Sequence, residues 1–262
     1  MPTLSLETVR LNASLEMAFR RRPGSGDALL LLHGLQSHSQ LFDAVFTHPE
    51  FSAFDLIAPD FIGFGQSSKP TDSPYDLTYL SQCILQLCET LQLERFHIVG
   101  HSLGGMIGTV LLNTAAHEVL SLSSLEGNLS GADCGASRIV AQLPFPEFQN
   151  SYYPELKASL QSADEPSAVL RRAALETIPD YVFFNTSKAI VASSESEQLL
   201  ATFTTSDTPR CLLIGDNSHF ASRPQAIGLT IHEISKSGHF MILDNPKQTL
   251  EVVASFVRQL TN

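Results

Sequence analysis

"FHIVGHSLGGMIGTVLL", residues 96–112, places a small polar knot between two runs that both look buried. Phe96 to Val99 is short and β-branched, as a strand would be, while Met106 to Leu112 continues in Ile, Val and Leu as a buried helix would. A strand joined to a helix by so little chain must turn sharply. Such a turn forces Ser102 towards positive φ and crowds its neighbours. Gly100 and Gly104, two positions either side, lack the side chains that would collide there, and Gly105 lets the helix lie close on the sheet. The stretch therefore predicts a nucleophile elbow, with the Ser102 Oγ lifted clear at the turn. G-x-S-x-G alone mostly marks ordinary loops, so the weight lies in the strand before it and the helix after it.

The bulk properties narrow the classes. A chain of 262 residues fits one large domain with room for an inserted subdomain. Hydrophobic content of 43% and charged content of 16% are those of an ordinary soluble globular protein. The net charge of −11, with Lys and Arg scattered, argues against nucleic acid or an anionic membrane as partner. The one basic run, Arg20-Arg21-Arg22, precedes Pro-Gly-Ser-Gly and reads as a solvated hairpin end. "MPTLSLETVRLNASL" lacks a basic segment followed by an apolar core, and no apolar run reaches the ~20 residues of a membrane helix, so a cytoplasmic protein is expected. Cys83, Cys88, Cys134 and Cys211 show no C-x-x-C spacing, and reduced thiols are the expectation. The nine histidines carry no H-E-x-x-H or paired Cys/His pattern, so neither a metal nor a cofactor is expected.

Along the chain, residues 4–20 alternate apolar and polar and turn at "RRRPGSGD", an opening hairpin. "ALLLLHG" (28–34) and "FDLIAPD" (54–60) read as strands buried on both faces. Leu77, Leu80, Ile84, Leu87, Cys88 and Leu91 fall at helical spacing, and "LSLSSLEGN" (120–128) follows the elbow helix as a sixth strand. From 129 to 207 strand alternation is missing, and Pro144, Pro146, Pro154, Pro166 and Pro179 punctuate short amphipathic stretches. Alternation returns at "PRCLLIG" (209–215) and "LTIHEI" (229–234), before a closing helix at 246–260. Repeated β-then-α order implies an α/β fold, a mostly parallel central sheet flanked by helices. The expected division is a core of 1–128 and 208–262 with a helical cap, 129–207, inserted after the sixth strand.

Four motifs in order now resemble the α/β-hydrolase superfamily over nearly the whole chain. "LLLLHG" (29–34) is similar to its oxyanion strand and loop, and "DFIGFGQS" (60–67) to its D-x-x-G-x-G-x-S turn. "GHSLGG" resembles the elbow and "SGHFMILDNP" (237–246) the segment carrying the catalytic histidine, while the helical stretch sits where the family inserts its cap. "GFGQS" has no third glycine and opens no helix, which speaks against a dinucleotide site.

A serine hydroxyl needs a base within reach, and an imidazole suits near-neutral pH. His239, just behind Gly238 after the last strand, fits that position and the family order of Ser, acid, His. His101 and His33 are read as structural. Charge developing on a substrate carbonyl oxygen needs preorganised donors; the resemblance implies the backbone N–H groups of Leu103 and Leu35. The superfamily also contains dehalogenases and epoxide hydrolases, which carry aspartate at the elbow. A serine attacking saturated carbon would leave an ether that water cannot readily cleave, whereas attack on a carbonyl leaves a hydrolysable ester. Carboxylesterase-like cleavage of a small-molecule carbonyl substrate is therefore expected, by a monomer or homodimer. C–C hydrolysis, acyl transfer and a non-catalytic ligand receptor are the alternatives. Phe145, Phe148 and Tyr152 are candidate pocket residues, and with no charged cluster among the cap aromatics the substrate is expected to be largely apolar.

The acid departs from the commonest family pattern. Three residues after Gly215, where most members place aspartate, stands Ser218, and Asp216 follows the glycine directly. Some members take the acid from the end of the strand after the elbow helix, here Glu126. A side chain two positions out of place in a tight turn points elsewhere, so Glu126 is favoured over Asp216, with Asp216 the alternative.

Overall fold

The computed structural model describes residues 5–218 and 229–260. β1 (Leu6–Arg10) and β2 (Glu16–Arg22) form the opening antiparallel hairpin, and β2 runs antiparallel along β4 (Asp55–Pro59). β3 (Ala28–Leu32), β4, β5 (Phe96–His101), β6 (Val119–Leu125), β7 (Arg210–Gly215) and β8 (Ile231–Ile234) are parallel. Across the sheet the order is β1-β2-β4-β3-β5-β6-β7-β8. Side chains alternate between faces of a strand, and in β3 both faces are covered. Leu30 and Leu32 join one core, while Leu29 and Leu31 join the other.

The helices cover both faces. α1 (Asp43–Thr47) leads into β4, and α2 (Leu77–Thr90) lies between β4 and β5. Asp76 caps α2 by accepting the Tyr79 N–H at 2.8 Å, and the expected face buries Leu77, Leu80, Ile84, Leu87 and Cys88. Leu91 stands beyond the last turn as the C-cap. α3 (Leu103–Thr114) follows β5. Between β6 and β7 the chain is helical: α4 (Ala136–Gln142), α5 (Phe145–Glu147), α6 (Tyr153–Ser159), α7 (Pro166–Thr177), α8 (Asp180–Glu195) and α9 (Gln198–Thr205). Pro166 opens α7 and Pro179 immediately precedes α8, positions where a missing N–H and a fixed φ cost nothing. α10 (Met241–Asp244) and α11 (Pro246–Arg258) complete the second face. All four cysteines are buried and unpaired. No helix among the described residues is long and apolar enough to cross a membrane.

Parallel strands point their carboxyl ends to one edge. Gly34 after β3, Ser102 after β5, Glu126 after β6, Asp216 after β7 and His239 beyond β8 therefore gather along that edge, where open α/β sheets place their sites.

Candidate active site

Ser102 links β5 directly to α3 with φ 53° and ψ −116°, a conformation L residues adopt only when their surroundings impose it. Those surroundings are the close approach of strand and helix. A Cβ on Gly100 would stand 2.4 Å from the Gly104 carbonyl oxygen, and one on Gly104 would stand 2.0 Å from the Leu32 carbonyl oxygen. The Ser102 N–H donates to the Leu125 carbonyl at 2.9 Å, tying the elbow to the end of β6.

The next residue is Glu126, wholly buried and itself at φ 50°. Its N–H donates to the Leu213 carbonyl at 3.0 Å, which anchors it between β6 and β7. One carboxylate oxygen accepts the Gly215 N–H at 2.9 Å, and the other lies 2.6 Å from His239 Nδ1. Burial alone would raise the Glu126 pKa. The bond and charge of His239, the Gly215 N–H and the Ser218 hydroxyl outweigh it and hold the carboxyl below its ordinary value. An ionised carboxylate only accepts, so Nδ1 of His239 carries the shared hydrogen and Nε2 is left to face other partners.

Asp216 is engaged elsewhere. Its exposed carboxylate accepts the backbone N–H of Lys236 at 2.9 Å and of Ser237 at 3.1 Å, and these two bonds hold its pKa down. It shapes the turn that leads to His239 rather than meeting the imidazole. Of the two acids considered, the structure brings Glu126 to His239.

The other two histidines brace loops. His33 Nε2 accepts the Phe61 N–H at 3.0 Å, so Nδ1 must carry the proton that it donates to the Gly34 carbonyl at 2.8 Å. Burial pushes its pKa down to about 4. His101 Nε2 lies 2.8 Å from the His239 carbonyl oxygen, to which it donates, and burial pushes its pKa down to about 3. The ring therefore stays neutral while it fixes the backbone of His239. Asp60, in the "DFIGFGQS" turn, accepts the N–H groups of Ser39 at 2.8 Å and Gln66 at 2.9 Å, so this turn is closed on its own carboxylate.

A cavity of about 370 Å³ opens beside Ser102. The sheet edge contributes Gly34, Leu35, His101, Ser102, His239 and Phe240. Leu35 N–H belongs to this loop, and Leu103, as the first residue of α3, has an N–H with no acceptor inside its helix. The facing wall carries Asn128, Asp133, Ser137 and Arg171, with Gln36 at its border. Phe145, Phe148 and Tyr152 do not line this cavity, which corrects the expectation for them. Phe148 is fully buried, with ring centroids 5.2 Å from Tyr153 and 5.9 Å from Phe183, and Phe145 meets Phe184 at 5.1 Å. The rings hold the helices after β6 to one another, the structural use of aromatic residues. Sequence reasoning missed Gln36, Asn128, Asp133, Ser137 and Arg171. Only the placement of Gln36 just after the loop that follows β3 offered a signal.

Residues 27–169, more than half of the chain, match a family model described as the alpha/beta hydrolase fold, and the chain belongs to that family. Among its relatives an uncharacterised protein of Mycobacterium tuberculosis is 41% identical over 105 residues, which is 40% of this chain and 29% of that protein. A fluoroacetate dehalogenase from Burkholderia sp is 36% identical over 107 residues, 39% of this chain and 35% of the relative. The match thus spans about a third or less of each relative's length. Among solved structures, an esterase from Thermogutta terrifontis superposes with a TM-score of 0.76 at 18% identity, covering 98% of this chain and 100% of that one. An N-acyl homoserine lactone degrading enzyme superposes with a TM-score of 0.75 at 19% identity, covering 95% and 100%. At these identities the resemblance concerns the fold.

Proposed function

We propose that the protein is a serine hydrolase that cleaves an ester, or another activated carbonyl, through an acyl-enzyme on Ser102. The observation that carries this reading is the 2.6 Å contact between His239 Nδ1 and the buried Glu126 carboxylate, with His239 and Ser102 on the wall of one cavity. Nε2 of His239 takes the Ser102 proton as Oγ attacks the carbonyl carbon. Glu126 keeps the tautomer and stabilises the imidazolium that forms. The N–H groups of Leu35 and Leu103 receive the developing oxyanion. Collapse expels the alcohol, protonated by His239. A water deprotonated by the same nitrogen then attacks the serine ester, releasing the acid and restoring the hydroxyl.

Residues 129–207 act as the cap over this site, on a core of 1–128 and 208–262. The helical wall supplies Asp133, Ser137 and Arg171, a polar lining, so a largely apolar substrate is not favoured. Ser102, where the family's dehalogenases carry aspartate, directs the chemistry to carbonyl carbon. Incubation with a p-nitrophenyl alkylphosphonate tests the reading. One adduct mass per chain, on the peptide containing Ser102, is expected together with loss of p-nitrophenyl ester turnover. An unmodified chain that neither turns over esters nor releases nitrophenol would make it a binding protein instead.

A further inference from the structure

Two adjacent arginines on α7 have opposite fates. Arg172 turns back into the protein, and its guanidinium donates to the carbonyls of Leu160 at 2.9 Å, Gln161 at 3.0 Å and Ala163 at 3.3 Å. Arg171, about 100° further round the helix, reaches the cavity that holds Ser102. Its Nε donates to the Gln36 side-chain oxygen at 2.8 Å, and Gln36 directly follows Leu35 of the oxyanion loop. Among the described residues no carboxylate lies within ion-pair distance of Arg171. Arg20, Arg21, Arg138 and Arg258 do have one, on Asp43, Asp55, Glu195 and Glu50, whereas Arg22, Arg172 and Arg210 spend their guanidinium groups on backbone carbonyls. Burial lowers the Arg171 pKa, the direction of a cation taken from water without a counter-charge. Among the described residues of the helical wall Asp133 is also charged, and one of its oxygens accepts the N–H groups of Leu129 and Ser130 and the Ser130 hydroxyl.

We propose that Arg171, braced by Gln36, is the binding site for a substrate carboxylate, so that the protein acts on acidic esters whose carbonyl is presented to Ser102. With Nε spent on Gln36, the two Nη groups remain as a fork that matches the two oxygens of a carboxylate. Among the described residues lining the cavity Arg171 is the one arginine or lysine, and one such fork matches a single carboxylate. With no carboxylate partner among the described residues, Arg171 gains a counter-ion when such a ligand enters, which makes the cation a selector.

This inference rests on the serine-hydrolase reading, and the test separates the two. The kcat/KM of mono-p-nitrophenyl succinate is compared with that of p-nitrophenyl butyrate at fixed ionic strength; the acyl chains match in length and differ in a terminal carboxylate. The wild-type protein should prefer the succinate ester, and Arg171→Gln should cut the ratio of the two by about 10- to 100-fold, the range of a charge-assisted hydrogen-bond pair. Arg171→Lys, which keeps the charge without the fork, should fall between them. Lys188→Gln removes an exposed positive charge from α8 and should leave the ratio as it is. An arginine that merely clasps α7 to the oxyanion loop would slow both esters alike, and an unchanged ratio in Arg171→Gln overturns the proposal. Calorimetry with succinate provides an arm independent of turnover: binding to the wild-type chain that Arg171→Gln weakens supports the carboxylate site. No binding by the wild-type chain refutes it. Failure of Ser102 to react with phosphonate would instead sink the serine-hydrolase reading and leave this binding result standing.

Discussion

On the sheet side of the cavity the candidate catalytic residues are anchored chiefly through backbone groups. Ser102 is fixed by its own N–H on Leu125, Glu126 by the strand on either side, and the His239 backbone by the His101 ring. On the helical side the wall is held by side chains: Arg171 by Gln36, Arg172 by three carbonyls, and the helices by stacked aromatic rings. Main-chain fixing gives preorganisation, because a donor or nucleophile locked by the fold needs no reorganisation during reaction. Side-chain fixing can be re-specified by one substitution without disturbing the sheet. The difference suits the proposed division of chemistry to one wall and selection to the other.

The largest effect that could break this division is Ser102→Ala, which should lower kcat by roughly 10⁶-fold, towards the level left by binding and the oxyanion donors. Steady-state ester hydrolysis checks it, and a loss of only a few-fold would remove Ser102 from the chemistry. Next comes the acid. Glu126→Ala should cost about 10⁴-fold in kcat, as removal of a triad carboxylate does, whereas Asp216→Ala should cost only a few-fold because it shapes the turn before His239. Reversed magnitudes in folded variants would hand the role to Asp216.

Phe148→Ala sharpens the other half of the comparison. The ring is fully buried among aromatic neighbours, so truncation should lower unfolding free energy by about 3–5 kcal/mol. The relative kcat/KM of short and long acyl esters should not change. A shifted chain-length preference with unchanged stability would return Phe148 to the substrate pocket.

The last effect is a pH dependence of stability. His33 and His101, with pKa values pushed down to about 4 and about 3, favour the folded state only while neutral. Their contribution is complete above about pH 6.5, the unfolded value, and each loses about 1.4 kcal/mol per pH unit as pH falls from there towards the folded pKa. The lowered pKa of Glu126 acts in the same sense once pH drops into the carboxylate range. Urea midpoints should therefore fall between pH 7 and pH 5, and fall less in His101→Gln. Equal midpoints at both pH values would contradict the neutral, buried assignment.

Much of the sheet wall was legible because backbone crowding dictates residue type at fixed spacing. Gly100 and Gly104 announce the close approach around Ser102, and the doubly buried strand at 28–32 announces a covered sheet. Glu126 and Asp216 could not be separated as firmly, since both follow strand ends and only the packing of β6 against β7 aims one of them at His239. The helical wall was opaque for a different reason. Arg171 and Arg172 are the same residue type at neighbouring positions, and their contacts diverge only through the rotation of α7 against the loop that follows β3. The aromatic residues of the helices after β6 suggested an apolar pocket, yet they stack on one another.

The account stands most directly on an acyl group carried by Ser102. Rapid acid quench of the wild-type chain with mono-p-nitrophenyl succinate, followed by peptide mass spectrometry, should find the succinyl mass on the peptide containing Ser102. It should accompany a nitrophenol burst of about one equivalent per chain. Steady product formation with no acylated peptide at any quench time, and with turnover retained in Ser102→Ala, would contradict it.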